Sequence, residues 1–429
     1  MKPGIGGSAV MDSSNVIRRH GRLWWTVMFA LAAAGMALTS LTAAGQAAQT
    51  EQKRFVMKVK PGDAATEQGF IHFYNMQYGP AIKDFEESLA KHPGDPYAVN
   101  HLLEGVLFQE LHREGKLDAE LYMSNQFVHM KKQEPDPQAI ARVEKLVSRA
   151  LELENKQLKR NPNDVNALYA RSVTQGLRAV KEALVSKEWF SSLRSGLGAY
   201  DDSKSILAID PNFSDAKLIV GIYNYIVGSL PWLVKMAALL VTIHGSKSKG
   251  LALIREAAES NGEASVDART TLALFLAREH QYDQALQLTD WLANTFPDNF
   301  IFGLSRAGLL KDAGKFPESI AAYRQLIELG KKGQFGDQDP GPAAVGLGNL
   351  LRSKQDWRAA AAAYDSAETL PNPDENLVAS ARLAAGEMYD MAGERALAVN
   401  RYQAVVKNSG DPELVKRAKE LLARPYKEK

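Results

Sequence analysis

The feature that most constrains this chain is an internal repetition in its C-terminal half. Four segments align, and each pairs a small residue in one predicted helix with a second small residue after a turn. The segments are Ala268–Pro297, Gly303–Gly330, Ala343–Pro371 and Ala381–Asn408. Their apolar residues recur at three- and four-residue spacing, the period of an amphipathic helix. This predicts an array of helical hairpins that must stack, because no single hairpin can bury its apolar face alone.

The repeated positions are those where two helices must approach closely. The first small residue of each hairpin is Ala273, Ala307, Gly348 or Gly386, and the second is Ala285, Ser319, Ala360 or Ala398. Four residues later comes Thr289, Tyr323, Tyr364 or Tyr402. The second small residues are 34, 41 and 38 positions apart. A period of about 34 with small residues at the crossing is typical of the tetratricopeptide repeat (TPR), so we expect an all-α TPR α-solenoid.

The N-terminal half repeats less regularly. One clear hairpin is expected at residues 69–93, and residues 114–137 read as an insertion. We expect residues 63–243 to hold divergent helical repeats, with a generic helical bundle as the alternative for this half. Residues 244–424 should hold the C-terminal TPR array with a capping helix.

Residues 1–47 differ from the rest of the chain. A cluster of three arginines precedes the stretch Leu23–Thr50, which has no charged side chain and ends in small residues. This order is typical of a secretory signal peptide, and it predicts cleavage near Ala47 and a periplasmic or secreted, bacterial protein. The alternative is a membrane anchor formed by residues 23–48, which are just numerous enough to span a bilayer. Residues 48–62 would be a linker.

Composition excludes several classes of function. The chain has 429 residues, with 52 Lys and Arg against 50 Asp and Glu, and no cysteine. Disulfides, cysteine-ligated metals, cysteine nucleophiles and lipoprotein anchors are therefore excluded. A net charge of +2 lacks the basic excess that phosphate neutralisation needs, so nucleic acid is not expected as a partner.

One segment, residues 218–243, is almost continuously apolar, and Lys235 is its only charged residue. Because Pro231 interrupts the run, we favour two buried helices at the centre of the array. Contact with a membrane or lipid is the alternative, and it predicts one outward-facing apolar patch. The residues expected on that patch are Trp232, Leu233 and Met236.

The same region carries a family resemblance. The runs are GIYNY at 221–225, GSLP at 228–231, HGS at 244–246 and GLALIREA at 250–257. They are similar to the tetratricopeptide repeat 39 family, which includes the yeast mitochondrial outer-membrane inclusion-body-clearance proteins. The resemblance spans residues 65–405, and these runs are its specific part. It implies an all-helical scaffold without a catalytic site. The signal-like N-terminus departs from the family, whose members act inside eukaryotic cells.

No pattern of catalytic or metal-binding residues is recognisable. His101 and Glu104 lie one turn apart, but the second histidine of a zinc-protease helix is not at the required spacing. Residues 245–250 contain the glycines and lysines of a phosphate loop, but no strand precedes them, so we interpret them as an inter-helix loop. We expect no cofactor, no metal and no catalysis. An enzyme of unrecognised type is the remaining alternative, and it would need a compact titratable cluster in a pocket.

Binding is the expected function. In a TPR array the first helix of each hairpin lines a concave groove, and residues one, four and five positions after the crossing residue point into it. The residues predicted to bind a partner are Arg278, Lys311, Asn349 and Arg352. Glu387 and Asp390 form an acidic end to this stripe. The stripe suits a protein or extended peptide with an acidic group as its ligand. The alternative interpretation is that these charged residues only form solvated faces of the helices. The sequence thus predicts an exported scaffold or adaptor, or else a membrane-associated one using residues 218–243.

Overall fold

A computed structural model of the chain describes residues 55–117, 134–230 and 245–428. Every regular element in these ranges is helical, with seventeen α-helices. The first eight are α1 (Ala64–Tyr74), α2 (Tyr78–Lys91), α3 (Pro96–Arg113), α4 (Pro137–Arg160), α5 (Val165–Lys181), α6 (Trp189–Ile209), α7 (Ser214–Ser229) and α8 (Lys247–Glu259). The other nine are α9 (Ser265–Arg278), α10 (Tyr282–Thr295), α11 (Phe300–Asp312), α12 (Phe316–Lys331), α13 (Gly341–Ser353), α14 (Trp357–Ser366), α15 (Glu375–Met391), α16 (Arg395–Asn408) and α17 (Pro412–Ala423).

Asp-Pro pairs fix the starts of three helices. The pairs are Asp95-Pro96, Asp136-Pro137 and Asp411-Pro412, at the N-termini of α3, α4 and α17. Each aspartate accepts a hydrogen bond from a backbone N–H of the first turn. Proline fits the first helical position, because its missing N–H would have no intrahelical partner there.

Consecutive helices pack as hairpins, from α1–α2 through α15–α16, and α17 packs on the last of them. The predicted crossings are present. A Cβ placed on Gly348 would lie 2.6 Å from the Tyr364 ring, and one on Gly386 would lie 2.5 Å from the Tyr402 ring. Both rings are buried against the glycine faces. Ala360 and Ala398, the partner positions on the second helices, are fully buried. The protein is an all-α, TPR-type solenoid, as predicted.

The first hairpin also contacts helices far along the chain. The Tyr74 hydroxyl of α1 donates to Asp267 of α9 (3.1 Å), and Asn299 Nδ2 donates to the Tyr74 carbonyl (2.8 Å). The Tyr74 ring lies 5.2 Å from the Phe296 ring. The N-terminal and C-terminal halves are therefore joined by direct contacts that the repeat pattern does not predict.

Four glycines bring α7 and α8 into backbone contact. A Cβ on Gly250 would lie 2.5 Å from the Tyr225 backbone nitrogen and 2.7 Å from the Gly221 carbonyl oxygen. A Cβ on Gly228 would lie 2.6 Å from the Lys247 nitrogen, and Gly245 is similarly close to Gly228. These glycines belong to the runs that resemble the repeat 39 family, so in this chain those runs have a packing role.

The interpretation of residues 245–250 as a loop is only partly correct. Helix α8 begins at Lys247, because the Ser246 hydroxyl caps it by accepting from the Lys249 N–H (3.3 Å). Only Gly245 and Ser246 lie outside the helix.

The first half of the apolar segment 218–243 is α7, which buries Leu218, Ile222 and Tyr225. The rest of the segment, with Trp232, Leu233 and Met236, lies outside the described residues, as does the predicted signal or anchor. No helix within the described ranges is both long and apolar enough to cross a membrane.

Candidate functional site

The four predicted binding residues lie on three first helices. Arg278 is the last residue of α9 and is exposed, and Lys311 lies on α11 with its Nζ 3.5 Å from Asp312 Oδ1. Asn349 and Arg352 lie on α13. The Tyr364 hydroxyl donates to Asn349 Oδ1 (2.6 Å) and also interacts with the Arg352 guanidinium. The structure therefore joins Asn349 and Arg352 in one network, to which the described contacts of Arg278 and Lys311 do not extend.

Arg352 contacts a segment that sequence analysis did not flag. After α17 the chain continues without regular secondary structure and reaches back to α13, and we call Arg424–Glu428 the return segment. Arg352 Nη2 donates to the Tyr426 hydroxyl oxygen (2.7 Å) and lies 3.2 Å from Glu428 Oε1. Arg352 Nη1 is also 3.8 Å from Glu387 Oε2 on α15. The guanidinium thus already holds an aromatic hydroxyl and two carboxylates.

Asp390 has a different environment from the one predicted. The sequence places it at the acidic end of an open groove, but its side chain is fully buried. Arg395 Nη1 lies 3.0 Å from both Asp390 oxygens, and the Tyr402 hydroxyl donates to Oδ2 (2.9 Å). The Tyr426 backbone N–H of the return segment also donates to Oδ2 (2.7 Å). These donors offset the cost of burying the charge, and one of them is the main chain of the return segment.

A second group of titratable residues lies between α3, α7 and α9. Its carboxyl groups belong to Glu104, Asp215, Glu263 and Asp267. Burial, reinforced by the neighbouring carboxylates, raises the pKa of Asp267 to about 7 and that of Asp215 to about 6. The same causes raise the pKa of Glu104 well above its usual range. His101 Nε2 lies 3.0 Å from Glu263 Oε1.

This carboxyl cluster does not line the neighbouring cavity of about 790 Å³. That cavity lies near the starts of α3 and α5. Its wall carries the titratable or charged side chains Lys60, His92, Asp95, Arg160 and Asp164. Within the described ranges, no group of three or more His, Asp or Glu side chains is placed to hold a metal ion. Asp95 and Asp164 on the cavity wall are the capping residues of α3 and α5, so they have a structural role there.

Comparisons with known proteins give structural likeness only. No family model matches the chain, and no curated protein matches it. Yeast Tom70 is 15% identical over 84% of this chain and 94% of that chain, with a TM-score of 0.34. A tetratricopeptide repeat protein from Parabacteroides merdae is 14% identical over 78% of this chain and 98% of that one, with a TM-score of 0.29.

A third similar structure is a human IFIT1 dimer with m7Gppp-AAAA, which is 11% identical over 94% of this chain and 87% of that one, with a TM-score of 0.38. The helical-repeat class of this protein rests on its own hairpins and their glycine–aromatic contacts. Membership of the repeat 39 family stays a prediction.

Proposed function

We propose that this protein is an exported helical-repeat scaffold that binds an extended segment of a partner protein, and that this segment bears an acidic residue. The binding surface is the groove formed by the first helices of the C-terminal hairpins. The observation that carries the proposal is the Arg352 network, because a first helix there already holds a non-helical segment through Tyr426 and Glu428.

The remaining predicted residues extend this surface. Arg278 and Lys311 occupy corresponding places near the ends of α9 and α11. Stacked hairpins advance by about one helix pair at a time, so Arg278, Lys311 and Arg352 would form a line of cations. A line of charge suits an extended ligand better than a compact one.

Reversing the three cations should abolish capture of acidic segments. We expect the variant Arg278→Glu/Lys311→Glu/Arg352→Glu no longer to bind an array of unstructured acidic peptides at low salt. Wild-type binding should itself weaken as salt is raised, because exposed charge contacts are screened. The measurement is retention on the array at low and high ionic strength, with helix content checked by circular dichroism.

The matched control is Lys91→Glu/Lys331→Glu/Arg358→Glu, which changes the net charge equally but on the second helices α2, α12 and α14. It should retain the acidic peptides. If the groove variant keeps the wild-type set of peptides at low salt, the groove does not bind them.

Export is the second part of the proposal, and the arginine cluster followed by the uncharged stretch Leu23–Thr50 supports it. We expect the mature chain to begin near Ala48 and to fractionate outside the cytoplasm. N-terminal sequencing of the protein from its host checks this. An intact start at Met1 or Met11 on a cytoplasmic protein would contradict export, whereas an intact start in the membrane fraction would indicate the anchor of residues 23–48.

The repeat 39 resemblance supports a further proposal, that the chain is a divergent relative of that family. Gly221, Gly228, Gly245 and Gly250 lie in the matching runs, and all four stand where a side chain would meet backbone atoms.

A further inference from the structure

The return segment is held by its backbone as well as by its side chains. The Tyr426 N–H donates to Asp390 Oδ2 (2.7 Å), an oxygen that also accepts from Tyr402. A contact to a main-chain N–H does not depend on the identity of the side chain. Asp390 therefore binds the main chain of the return segment.

Side-chain selectivity comes from two guanidinium groups around the Tyr426 ring. The guanidinium of Arg352 lies 5.7 Å from the ring centroid and that of Arg417 lies 5.9 Å from it. Glu387 is 3.2 Å from Arg417 Nη2 and 3.8 Å from Arg352 Nη1, so it holds the two cations in place. Cations beside an aromatic face favour Tyr, Trp or Phe at this position.

The second selective contact is the carboxylate of Glu428, two residues beyond the tyrosine. Arg352 Nε and Nη2 lie 3.3 Å and 3.2 Å from Glu428 Oε1. Both side chains remain about one-third exposed (32% and 39%), so this contact can exchange with solvent or with another ligand. Lys427, between the two contact residues, is exposed.

We propose that the return segment is a resident copy of the ligand that this groove recognises. On this view, which rests on the proposed function, the partner supplies an extended segment with a tyrosine followed two residues later by an acidic residue. The tyrosine N–H binds Asp390, the ring lies between Arg352 and Arg417, and the acid pairs with Arg352. A tethered copy is present at a high effective concentration, so the partner must displace Arg424–Glu428.

The test uses the full chain and a fluorescent peptide with the sequence of residues 424–429, RPYKEK. The variant Tyr426→Ala/Glu428→Ala removes both side-chain contacts of the resident copy while the groove residues are kept, and we call it the released variant. We expect this variant to bind the peptide about tenfold more tightly than the wild type, because the tethered competitor is lost. Adding Arg352→Ala, or using a peptide with alanine in place of tyrosine, should abolish binding. Fluorescence anisotropy gives each affinity.

Lys427→Ala is the matched control, since it alters the same segment without touching a contact, and it should bind as weakly as the wild type. Tyr426→Phe removes only the hydroxyl that accepts from Arg352, and it should give a smaller gain. Equal affinity of wild type and released variant, at matching unfolding midpoints, would overturn the proposal, and so would absence of binding to the released variant.

The two proposals can fail separately. If acidic peptides still bind the wild type and are lost on charge reversal, while RPYKEK does not distinguish the variants, only the resident-ligand proposal fails. If RPYKEK binds the released variant but no acidic peptide binds the wild type, the line of three cations is not the binding surface.

Discussion

Replacing Gly250 with alanine should destabilise the fold by about 3 kcal/mol, as expected for overpacking at a close helix contact. The added Cβ would lie 2.5 Å from the Tyr225 nitrogen and 2.7 Å from the Gly221 oxygen. Both are backbone atoms, so relief requires α7 and α8 to separate. Separation would also disturb Tyr225, whose ring stacks on Phe275 with centroids 3.9 Å apart. The measurement is the shift of the urea midpoint at constant slope.

Gly176→Ala is the control for this substitution. Gly176 lies within α5, and nothing comes within 4 Å of a Cβ placed on it. Alanine there should stabilise by about 0.5–1 kcal/mol, because glycine costs more backbone entropy in a helix. If Gly250→Ala shifts the midpoint no more than Gly176→Ala does, α7 and α8 are not in backbone contact.

The stability contributed by Asp215, Asp267 and Glu104 should fall as pH rises from about 4, the usual pKa range of carboxyl groups, to about 7. Burial raises the pKa of Asp215 to about 6 and that of Asp267 to about 7, and it raises that of Glu104 as well. Over this window these three groups hold protons in the folded protein that they have released in the unfolded chain, so each increase in pH removes part of their contribution to stability. The stabilisation from each group is fully present below its pKa in the unfolded chain. It is lost as pH rises through the pKa that the group has in the folded protein.

Asp267→Asn should remove part of this pH dependence. An asparagine oxygen can still accept from the Tyr74 hydroxyl, but it carries no charge to bury. We expect the variant to be about 2 kcal/mol more stable than the wild type at pH 8 and close to it at pH 4. Urea midpoints at both pH values check this.

Asp283→Asn is the control, because that carboxylate is 84% exposed and pairs with Lys315 at the surface. It should change stability little at either pH. A loss of stability at pH 8 in Asp267→Asn would show that the charged carboxylate is stabilising, contrary to the expectation.

The hairpin contacts could be predicted because both partners lie close together in the sequence. Gly348 and Tyr364, and likewise Gly386 and Tyr402, meet within a single hairpin. Helical periodicity then determines which residues face each other, and the repeat shows where the helices cross. The helix starts are local as well, since an aspartate cap and the following proline act within one turn.

Arg352 could be proposed as a binding residue from helical periodicity as well. Its contacts with the return segment could not be predicted. Helical period places its side chain on the face of α13 that carries Asn349. The return segment follows α15, α16 and α17 in the sequence, so its contact with that face depends on how those helices pack. No periodicity in Arg424–Glu428 indicates where an extended segment will lie.

The sequence by itself determined the helical class, the hairpin register and the small residues at the crossings, because these follow from spacing within one hairpin. Only the tertiary structure decided which charges are buried. Asp390 looks like a solvent-facing acid by helical period, yet Arg395, Tyr402 and the return segment cover it. Tyr74 and Asp267 meet across 193 positions. Such contacts depend on how successive hairpins stack, and small angular differences at each interface accumulate over many repeats.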